Sequence, residues 1–300
     1  MSKPLVKVFG ERNSGTRALH QMLQRSKHVQ TRKPGPGTAE EQQKRAELSA
    51  QVDRHFAGAW RKIYRDALRD NERHVTDPVL TWKHAAPVWH DAFRREKVNV
   101  IFLVRNPYSW VLSMARRPYH MVGRRPVDLA EFITRPWMTQ RRDNTAPLLS
   151  GVLDLWQTKV RAYKSFSTMA KANGLPTYFM RFEDFVAGPV AEASIALAHF
   201  GAVADDLRPS ESHTKDEGRD LASIQSYYGQ EKWRDRLCRE TVALINERVD
   251  WDMAGRLGYR ELDPTEFPPA PTLDDGDLFG EQETTVPILL DRETGTATAA

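Results

Sequence analysis

Apolar residues in this chain form short runs that alternate with stretches of helical periodicity. Four runs have the length and β-branched content of buried strands, and they cover residues 5–9, 78–82, 98–104 and 176–181. The run at 98–104 is the clearest, and an uninterrupted apolar strand is typical of a parallel sheet covered on both faces. Helices are predicted at 151–172, 191–200 and 231–250. Strands that alternate with helices predict an α/β fold, a parallel β-sheet flanked by α-helices.

A segment with its own helical pattern lies between the first two predicted strands. Residues 33–37, Lys-Pro-Gly-Pro-Gly, break the chain, and a polar helical stretch near 39–50 and an amphipathic one follow. We therefore predict a helical insertion over residues 31–75. Residues 116–147 are rich in Arg and Pro, which predicts a surface loop region with one short helix.

The composition changes near residue 262. Pro, Asp, Glu and Thr increase there and large apolar residues become rare, so we predict one α/β domain over 1–261 and a disordered tail over 262–300. The tail has a net charge of −8, and residues 1–261 carry +12 of the total +4. A basic domain suits nucleic acids, anionic membranes or small molecules that bear phosphate or sulfate. No nucleic-acid module is recognisable, which favours the small anion.

The remaining composition narrows the class further. The single cysteine, Cys238, excludes an internal disulfide and any cysteine-rich metal site, and it fits a reducing compartment. The first strand begins within five residues of Met1, and no run of about 18 apolar residues occurs. The nine histidines include no HExxH-type pair, so no dedicated metal site is expected. We expect a soluble, cytoplasmic protein without a membrane span and without a nucleic-acid partner.

The loop Gly10-Glu11-Arg12-Asn13-Ser14-Gly15-Thr16-Arg17 joins the first strand to a helix. Its Gly-x4-Gly skeleton matches the first half of a P-loop, but Thr16 and Arg17 stand where an NTPase has Lys and Ser/Thr. Those missing residues reach the β- and γ-phosphates and hold Mg²⁺, so ATP or GTP chemistry is disfavoured. Backbone N–H groups, the hydroxyls of Ser14 and Thr16 and the guanidinium groups of Arg12 and Arg17 remain for one phosphate. An ordinary strand-to-helix turn is the alternative.

A second candidate anion site follows the run at 98–104. Arg105 ends this run, and Ser113 lies eight residues further on, in a helical segment. Ligands of open α/β sheets bind at the carboxyl ends of the strands, where a guanidinium and a hydroxyl would hold a second phosphate. The alternative is that Arg105 is a surface ion-pair partner and Ser113 an ordinary helix-face hydroxyl.

Two anion sites imply a ligand with two separate phosphate groups. Here the chain resembles the PAPS-dependent sulfotransferases, which combine a P-loop-like element for the 5′-phosphosulfate with a strand-end Arg and a Ser eight residues later for the 3′-phosphate. The likeness covers most of residues 4–260 outside the insertion, and the matching segments are Asn13-Ser14-Gly15-Thr16-Arg17, Arg105 with Ser113, Arg181-Phe182-Glu183-Asp184-Phe185 and Leu257-Gly258-Tyr259. The resemblance implies a P-loop-like sheet, PAPS as the donor, 3′,5′-ADP (PAP) as the product and no metal.

The chain departs from the family pattern at three points of the donor site. Asn13 stands where the family has Lys, so Arg12 or Lys83 would supply the positive charge at the bridging oxygen. Phe182 replaces the Tyr expected near the adenine and keeps an aromatic face. The family's Arg-Lys-Gly segment is missing, and Lys232 is the candidate for a 3′-phosphate contact in that neighbourhood.

Sulfuryl transfer needs a base that accepts the proton of the acceptor, and His84 is the candidate. The segment Thr81–Pro87 resembles the family's Lys-Thr-His-x-Pro in two registers, of which one aligns His84 and the other aligns Ala85 with the family His. A solvent-facing or helix-capping role for His84 is the alternative. Glu11 and Asp184 are poorer bases because neighbouring arginines keep a carboxylate weakly basic.

We therefore predict a metal-independent sulfotransferase that transfers a sulfuryl group from PAPS to a hydroxyl or amine of a small-molecule, lipid or glycan acceptor. Arg12, Lys83 and His84 would carry the chemistry, and residues 31–75 and 116–147 would contribute to the acceptor pocket. One alternative is a nucleotide or small-molecule kinase with a degenerate P-loop, which needs Mg²⁺ ligands that the run at 98–104 does not supply. The other is a non-catalytic nucleotide-binding protein.

Overall fold

The structure is a computed structural model that describes residues 3–31, 39–72, 78–119, 126–209, 220–270, 288–290 and 297–299. The strands of this part are β1 (Leu5–Gly10), β2 (Val98–Val104), β3 (Trp137–Met138), β4 (Leu148–Leu149), β5 (Thr177–Arg181), β6 (Ile288–Leu290) and β7 (Ala297–Ala299). Its helices are α1 (Thr16–Arg25), α2 (Ala39–His55), α3 (Gly58–Glu72), α4 (Asp91–Arg95), α5 (Pro107–Arg116), α6 (Leu129–Thr134), α7 (Val152–Ala172), α8 (Phe182–Ala187), α9 (Pro189–His199), α10 (Leu221–Gly229), α11 (Arg239–Arg248) and α12 (Trp251–Gly255).

A three-stranded parallel sheet in the order β1-β2-β5 forms the centre of the fold. Every residue of β1 is buried, as expected for a strand with helices on both faces. One face packs against α7, whose residues Trp156, Val160 and Tyr163 recur at helical spacing and are at most 1 % exposed. The other face packs against α1 and α9. The α/β prediction, with strands at β1, β2 and β5 and a long helix at α7, is confirmed.

The parallel register brings the carboxyl ends of the three strands to one edge of the sheet. Gly10 of β1 is paired with Leu103 of β2, and Val104 of β2 is paired with Arg181 of β5. The loops that follow these strands therefore lie next to each other. This is the edge at which open α/β sheets bind ligands.

Residues 78–82, predicted as a strand, contain a 3-10 turn over Pro78–Leu80 and join no sheet, so the prediction of a strand here is wrong. Pro78 has no N–H for a ladder bond, and its carbonyl oxygen accepts from the N–H of Thr81 at 3.4 Å and from the Thr81 hydroxyl at 2.9 Å. The chain then passes the end of β1, where the Gly10 N–H donates to the Lys83 carbonyl oxygen at 3.0 Å.

The insertion is helical, as predicted, because α2 and α3 fill its described part. Its predicted ends at 32–38 and 73–75 lie outside the described residues. An anchor on α3 fixes it to the domain: Asp66 accepts a hydrogen bond from the Arg142 guanidinium at 2.8 Å, and Asp70 accepts another at 2.5 Å. Arg142 is 9 % and Asp66 is 6 % exposed, so this contact is buried.

The prediction of a surface loop at 116–147 is wrong in its second half. Besides α6, this segment contains β3, which pairs with β4 just beyond it, and a 3-10 turn over Arg141–Asp143. Phe132 and Trp137 are buried in the main core, and Asp143 is buried as well. Residues 120–125 lie outside the described part.

The helix predicted at 231–250 is divided into a 3-10 turn over Lys232–Arg236 and α11. Leu237, which is 3 % exposed, has an extended backbone between the two elements. The Cys238 N–H donates to the hydroxyl of Thr241 at 3.0 Å, which starts a new helix at this point.

The predicted disorder from 262 onward is wrong for residues 262–270. Leu262 and Phe267 are 7 % and 5 % exposed and belong to the main core. The Asn246 amide donates to the Leu262 carbonyl oxygen at 2.8 Å, and the Arg234 guanidinium lies 2.6 Å from the Glu266 carboxylate. β6 and β7 pair antiparallel, and the rest of the predicted tail, 271–287, 291–296 and 300, lies outside the described residues.

Within the described part of the chain, every helix is too short or too polar to cross a lipid bilayer.

The burial of Leu262 and Phe267 predicts that the segment 262–270 stabilises the domain. A chain ending after residue 261 is expected to lose at least about 3 kcal/mol of unfolding free energy relative to one ending after residue 270, because a buried large apolar side chain contributes about 1.5–3 kcal/mol. Urea denaturation of the two truncated chains measures the difference. Equal midpoints and slopes would show that the segment only lies on the surface.

Candidate functional site

The loop between β1 and α1 is tight at two glycines. A Cβ on Gly10 would lie 2.6 Å from the Leu103 carbonyl oxygen, and a Cβ on Gly15 would lie 3.1 Å from the Phe182 ring. Asn13 and Gly15 have left-handed backbones, with φ of 63° and 77°. These turns return the chain to the sheet edge within a few residues.

The start of α1 fits an anion. Gly15 precedes the helix and provides no side-chain cap for its first N–H groups. The Ser14 hydroxyl is 1 % exposed and has no hydrogen-bond partner within the described residues, which is uncommon for a buried hydroxyl. A helix N-terminus beside an unsatisfied donor binds phosphate or sulfate oxygens well. The loop of 10–15 therefore has the chemistry of an oxyanion cradle.

The Arg12 guanidinium lies against two aromatic rings. Its central carbon is 3.5 Å from the centroid of Tyr119 and 4.6 Å from that of Trp82. Burial lowers the pKa of Arg12, while the nearby Tyr119, Asp143 and Glu11 groups oppose this shift. Aromatic stacking occupies the faces of a guanidinium and leaves its N–H edges directed in its own plane.

A buried lysine on α7 forms an ion pair with the loop. Lys159 is 0 % exposed, and its Nζ lies 2.7 Å from Glu11 Oε2 and 2.8 Å from Asp143 Oδ1. The other oxygen, Glu11 Oε1, accepts from the Arg12 N–H at 2.6 Å and from the Tyr119 hydroxyl at 2.8 Å. We call Lys159, Glu11, Asp143 and Tyr119 the Lys159 network. It connects the loop after β1, α7, the Arg141–Asp143 turn and the chain after α5.

His84 lies beside the carboxyl end of β1. Its Nδ1 is 2.6 Å from the Gly10 carbonyl oxygen, and since that oxygen can only accept, Nδ1 carries the proton and Nε2 keeps its lone pair. Burial, followed by the charge of Lys83, lowers the pKa of His84 well below its usual range, against the Gly10 hydrogen bond, which raises it. The imidazole is therefore neutral near pH 7. Ala85, which the other register aligns with the family His, is buried and has no group that can take a proton.

Arg105 connects the loop to a second site. Its Nη1 donates to the Asn13 carbonyl oxygen at 2.6 Å, and its other nitrogens donate to the Ser109 hydroxyl and carbonyl and to the Tyr228 hydroxyl at 2.8–2.9 Å. The guanidinium lies 4.5 Å from the Phe182 ring centroid. Arg105 is 4 % exposed, so the alternative of a surface ion-pair partner is wrong.

A pocket opens beside Arg105, between α5, α10 and the 3-10 turn that follows it. We call it the arginine pocket, and its lining residues are Arg105, Ser109, Leu112, Ser113, Arg116, Ile224, Tyr227, Tyr228, Trp233 and Arg236. The guanidinium groups of Arg116 and Arg236 and the hydroxyl of Ser113 around one concavity fit a phosphate. The Asn13 amide donates to the Ser113 carbonyl oxygen at 3.3 Å, so the pocket and the oxyanion cradle adjoin.

The other segments that carry the resemblance converge behind Arg105. Tyr259 donates to the Val104 carbonyl oxygen at 3.0 Å and to Glu183 at 3.1 Å. The second Glu183 oxygen accepts from the Asn106 N–H at 3.0 Å. These bonds fix the turn after β2, which directs Arg105 toward the cradle.

The structure brings most of the predicted site residues together. Those at the cradle and the adjoining pocket are Arg12, Asn13, Ser14, Gly15, Thr16, Lys83, His84, Arg105, Ser113 and Phe182. Arg17 is exposed on the first turn of α1. Lys232 is exposed and does not line the arginine pocket, whereas Arg236, four residues later in the same 3-10 turn, does.

Sequence reasoning missed Arg116, Arg236 and the Lys159 network. The signal for Lys159 was present, because it stands on the apolar face of α7, between Trp156 and Tyr163, where a charge must find buried partners. The only sequence signal for Arg116 and Arg236 was that they are basic residues in a basic domain.

One group of side chains in the described residues has a metal-like arrangement, although no dedicated metal site was predicted. His28, Asp205 and Asp206 lie close together on the surface, away from the loop of 10–15. Asp206 already accepts from the Ser26 hydroxyl and the Lys27 N–H, both at 2.6 Å, and His28 pairs with Asp205 at 3.0 Å. These contacts connect the end of α1 to the chain after α9 at the surface, which explains why the three side chains lie together.

The fold and the site define an α/β protein with a candidate anion-binding loop at the carboxyl edge of a parallel sheet. A comparison with protein-family models finds no match for this chain, and a comparison with curated proteins finds none either.

The lowered pKa of His84 predicts a pH dependence of stability. As the pH falls below about 6.5, the unfolded chain takes up a proton at this position before the folded chain does. The free energy of unfolding therefore decreases below about pH 6.5, and His84 does not change it at higher pH. His84→Gln cannot titrate, and it is expected to lose less stability than the wild type between about pH 7 and pH 5, by at most about 1.4 kcal/mol per pH unit. Urea denaturation across this range measures the difference. Parallel pH profiles would contradict it.

Proposed function

We propose that this chain is a sulfotransferase that transfers a sulfuryl group from PAPS to a hydroxyl or amine of an acceptor. The observation that carries the proposal is the bridge made by Arg105 between the oxyanion cradle and the arginine pocket. Two adjoining anion sites at one sheet edge suit a nucleotide with phosphates at both its 5′ and 3′ positions. The match of Arg105 and Ser113 to the family spacing supports the same ligand.

The donor fits the residues present. The unsatisfied Ser14 hydroxyl and the uncapped start of α1 would receive the 5′-phosphosulfate oxygens. In the arginine pocket, Ser113 and Arg236 would hold the 3′-phosphate, and the ring of Tyr227 provides aromatic surface for the base. Phe182, expected near the adenine, packs on Gly15 and Arg105 and so supports the cradle from behind.

In the proposed reaction, His84 accepts the proton of the attacking group at Nε2 and later releases it to solvent. When bound, PAPS supplies a sulfuryl group whose bond to a phosphate oxygen breaks as the acceptor oxygen or nitrogen bonds to sulfur, and the electron pair stays on 3′,5′-ADP. Arg12 stabilises the charge that develops on that phosphate, with Lys83 beside it. His84 suits its role because it is neutral near pH 7 and already has the tautomer of a base.

The acceptor would approach from the side of the insertion. Arg142 anchors α3 through Asp66, and its guanidinium lies 5.0 Å from the ring centroid of Trp82. The Arg12 guanidinium in turn lies 4.6 Å from the Trp82 ring centroid. The insertion is thus adjacent to the residues that would surround the reacting sulfur, and a small-molecule, lipid or glycan acceptor would be selected there.

Ligand binding tests the proposal directly. Calorimetry is expected to give the same affinity for 3′,5′-ADP with and without EDTA, and much weaker binding of ATP with Mg²⁺, because the P-loop Lys and the Mg²⁺-binding hydroxyl are missing. Tighter, Mg²⁺-dependent binding of ATP would replace the sulfotransferase by the kinase alternative.

Two variants of one 3-10 turn provide a matched control for this measurement. Arg236→Gln and Lys232→Gln remove the same charge from exposed positions, but only Arg236 lines the pocket. We expect Arg236→Gln to weaken 3′,5′-ADP binding about five- to tenfold, the loss of one partly exposed charged hydrogen bond, and Lys232→Gln to change it less than about twofold. Both variants should leave 5′-AMP binding unchanged. Equal effects of the two variants would indicate long-range charge rather than a pocket contact.

Turnover tests the role of His84 separately. Once an acceptor has been found by screening, His84→Ala is expected to reduce its turnover about 10²- to 10⁴-fold, because a positioned base is lost, while 3′,5′-ADP affinity stays close to that of the wild type. Wild-type turnover in this variant would assign the proton to another group or to solvent.

A further inference from the structure

One member of the Lys159 network, Tyr119, packs its ring against the Arg12 guanidinium. One atom, Glu11 Oε1, accepts both the Arg12 N–H and the Tyr119 hydroxyl, while Lys159 holds the other oxygen of the same carboxylate. A single buried carboxylate therefore fixes the backbone of Arg12 and the aromatic ring that covers its side chain. The Trp110 indole N–H adds a bond to the Arg12 carbonyl oxygen at 2.9 Å.

This arrangement restricts the guanidinium. Held against the rings of Tyr119 and Trp82, the flat group has little freedom to rotate. A long arginine side chain without such support loses rotamer entropy whenever it binds an anion. Contact with the two rings removes much of this cost in advance, as preorganised sites do.

We propose that Glu11 and Tyr119 are positioning residues that hold the Arg12 guanidinium for the 5′-phosphate end of the ligand. This inference rests on the proposed function. In it, Arg12 supplies the positive charge that a lysine supplies in the family loop. Glu11 acts only through Tyr119 and the backbone of Arg12, and neither oxygen of its carboxylate is available to the ligand, since Lys159 holds one and two donors share the other.

The test compares two nucleotides that differ only in the 5′-phosphate. In Glu11→Gln and Tyr119→Leu, calorimetry is expected to show about tenfold weaker binding of 3′,5′-ADP and less than about a twofold change for 3′-AMP, because only the first ligand reaches Arg12. Tyr119→Phe keeps the stacking ring and loses the bond to Glu11, so we expect a smaller, about threefold, loss. Glu11→Gln and Tyr119→Phe should combine less than additively, since the two changes alter the two partners of one hydrogen bond.

Tyr163→Phe is the matched control. Tyr163 is 1 % exposed, one turn after Lys159 on α7, and its hydroxyl has no hydrogen-bond partner in the described structure. Its removal should leave both affinities unchanged. Equal losses of 3′,5′-ADP and 3′-AMP in Tyr119→Leu would make Tyr119 merely structural and overturn the proposal, and so would an unchanged 3′,5′-ADP affinity in that variant.

A second probe separates this proposal from the donor assignment. Pyrophosphate is expected to raise the melting temperature of the wild type, and to raise it less in Arg12→Met and Tyr119→Leu. If 3′,5′-ADP does not bind but pyrophosphate shows this pattern, the donor assignment fails and the positioning of Arg12 stands. Equal stabilisation of the wild type and Tyr119→Leu, or stabilisation by neither probe, overturns the positioning.

Discussion

The ammonium group of Lys159 is the constraint on which the candidate site depends. It stands on the apolar face of α7 with no exposed surface, and a charge in such a place is tolerated only when carboxylates surround it. One carboxylate comes from Glu11, directly after β1, and the other from Asp143, more than a hundred residues later. The helix, the anion loop and the Arg141–Asp143 turn can therefore pack only in the arrangement that brings all three together.

Neighbouring residues extend this constraint in two directions. On the loop side, Glu11 controls both its neighbour Arg12 and Tyr119. On the turn side, Asp143 follows Arg142, which anchors the insertion helix α3. Arg142 thus contacts the insertion, whereas the adjacent Asp143 contacts the domain. The cation at the cradle and the helix beside it are positioned by one continuous set of buried charges.

Much of the fold could be predicted from the sequence because apolar periodicity reports burial directly. β1, β2, β5 and α7 follow from it, and so does the amphipathic insertion helix α3. The segment 78–82 has the composition of a strand, but the missing N–H of Pro78 and a local bond to Thr81 favour a turn. Leu262 and Phe267 stand among polar and proline residues, so that only the tertiary structure shows where they are buried.

Part of the candidate site could also be predicted from the sequence, and part could not. The cradle and the pair of Arg105 and Ser113 were predictable because strand ends and helical spacing place them. The choice between Lys232 and Arg236 depends on the path of one 3-10 turn, which single-residue spacing does not determine. The Lys159 network joins residues far apart in the chain, so its partners could not be paired from the sequence, although an interior lysine announces that such partners exist.

The anchor of α3 has a consequence for how this protein can be rebuilt. The Arg142 side chain is only 4 % exposed, and its two carboxylate partners, Asp66 and Asp70, belong to the insertion. Excising the helices would remove both carboxylates together with the surface that now buries this guanidinium. The insertion is therefore not a detachable module, and a chimera that exchanges it must exchange Arg142 as well.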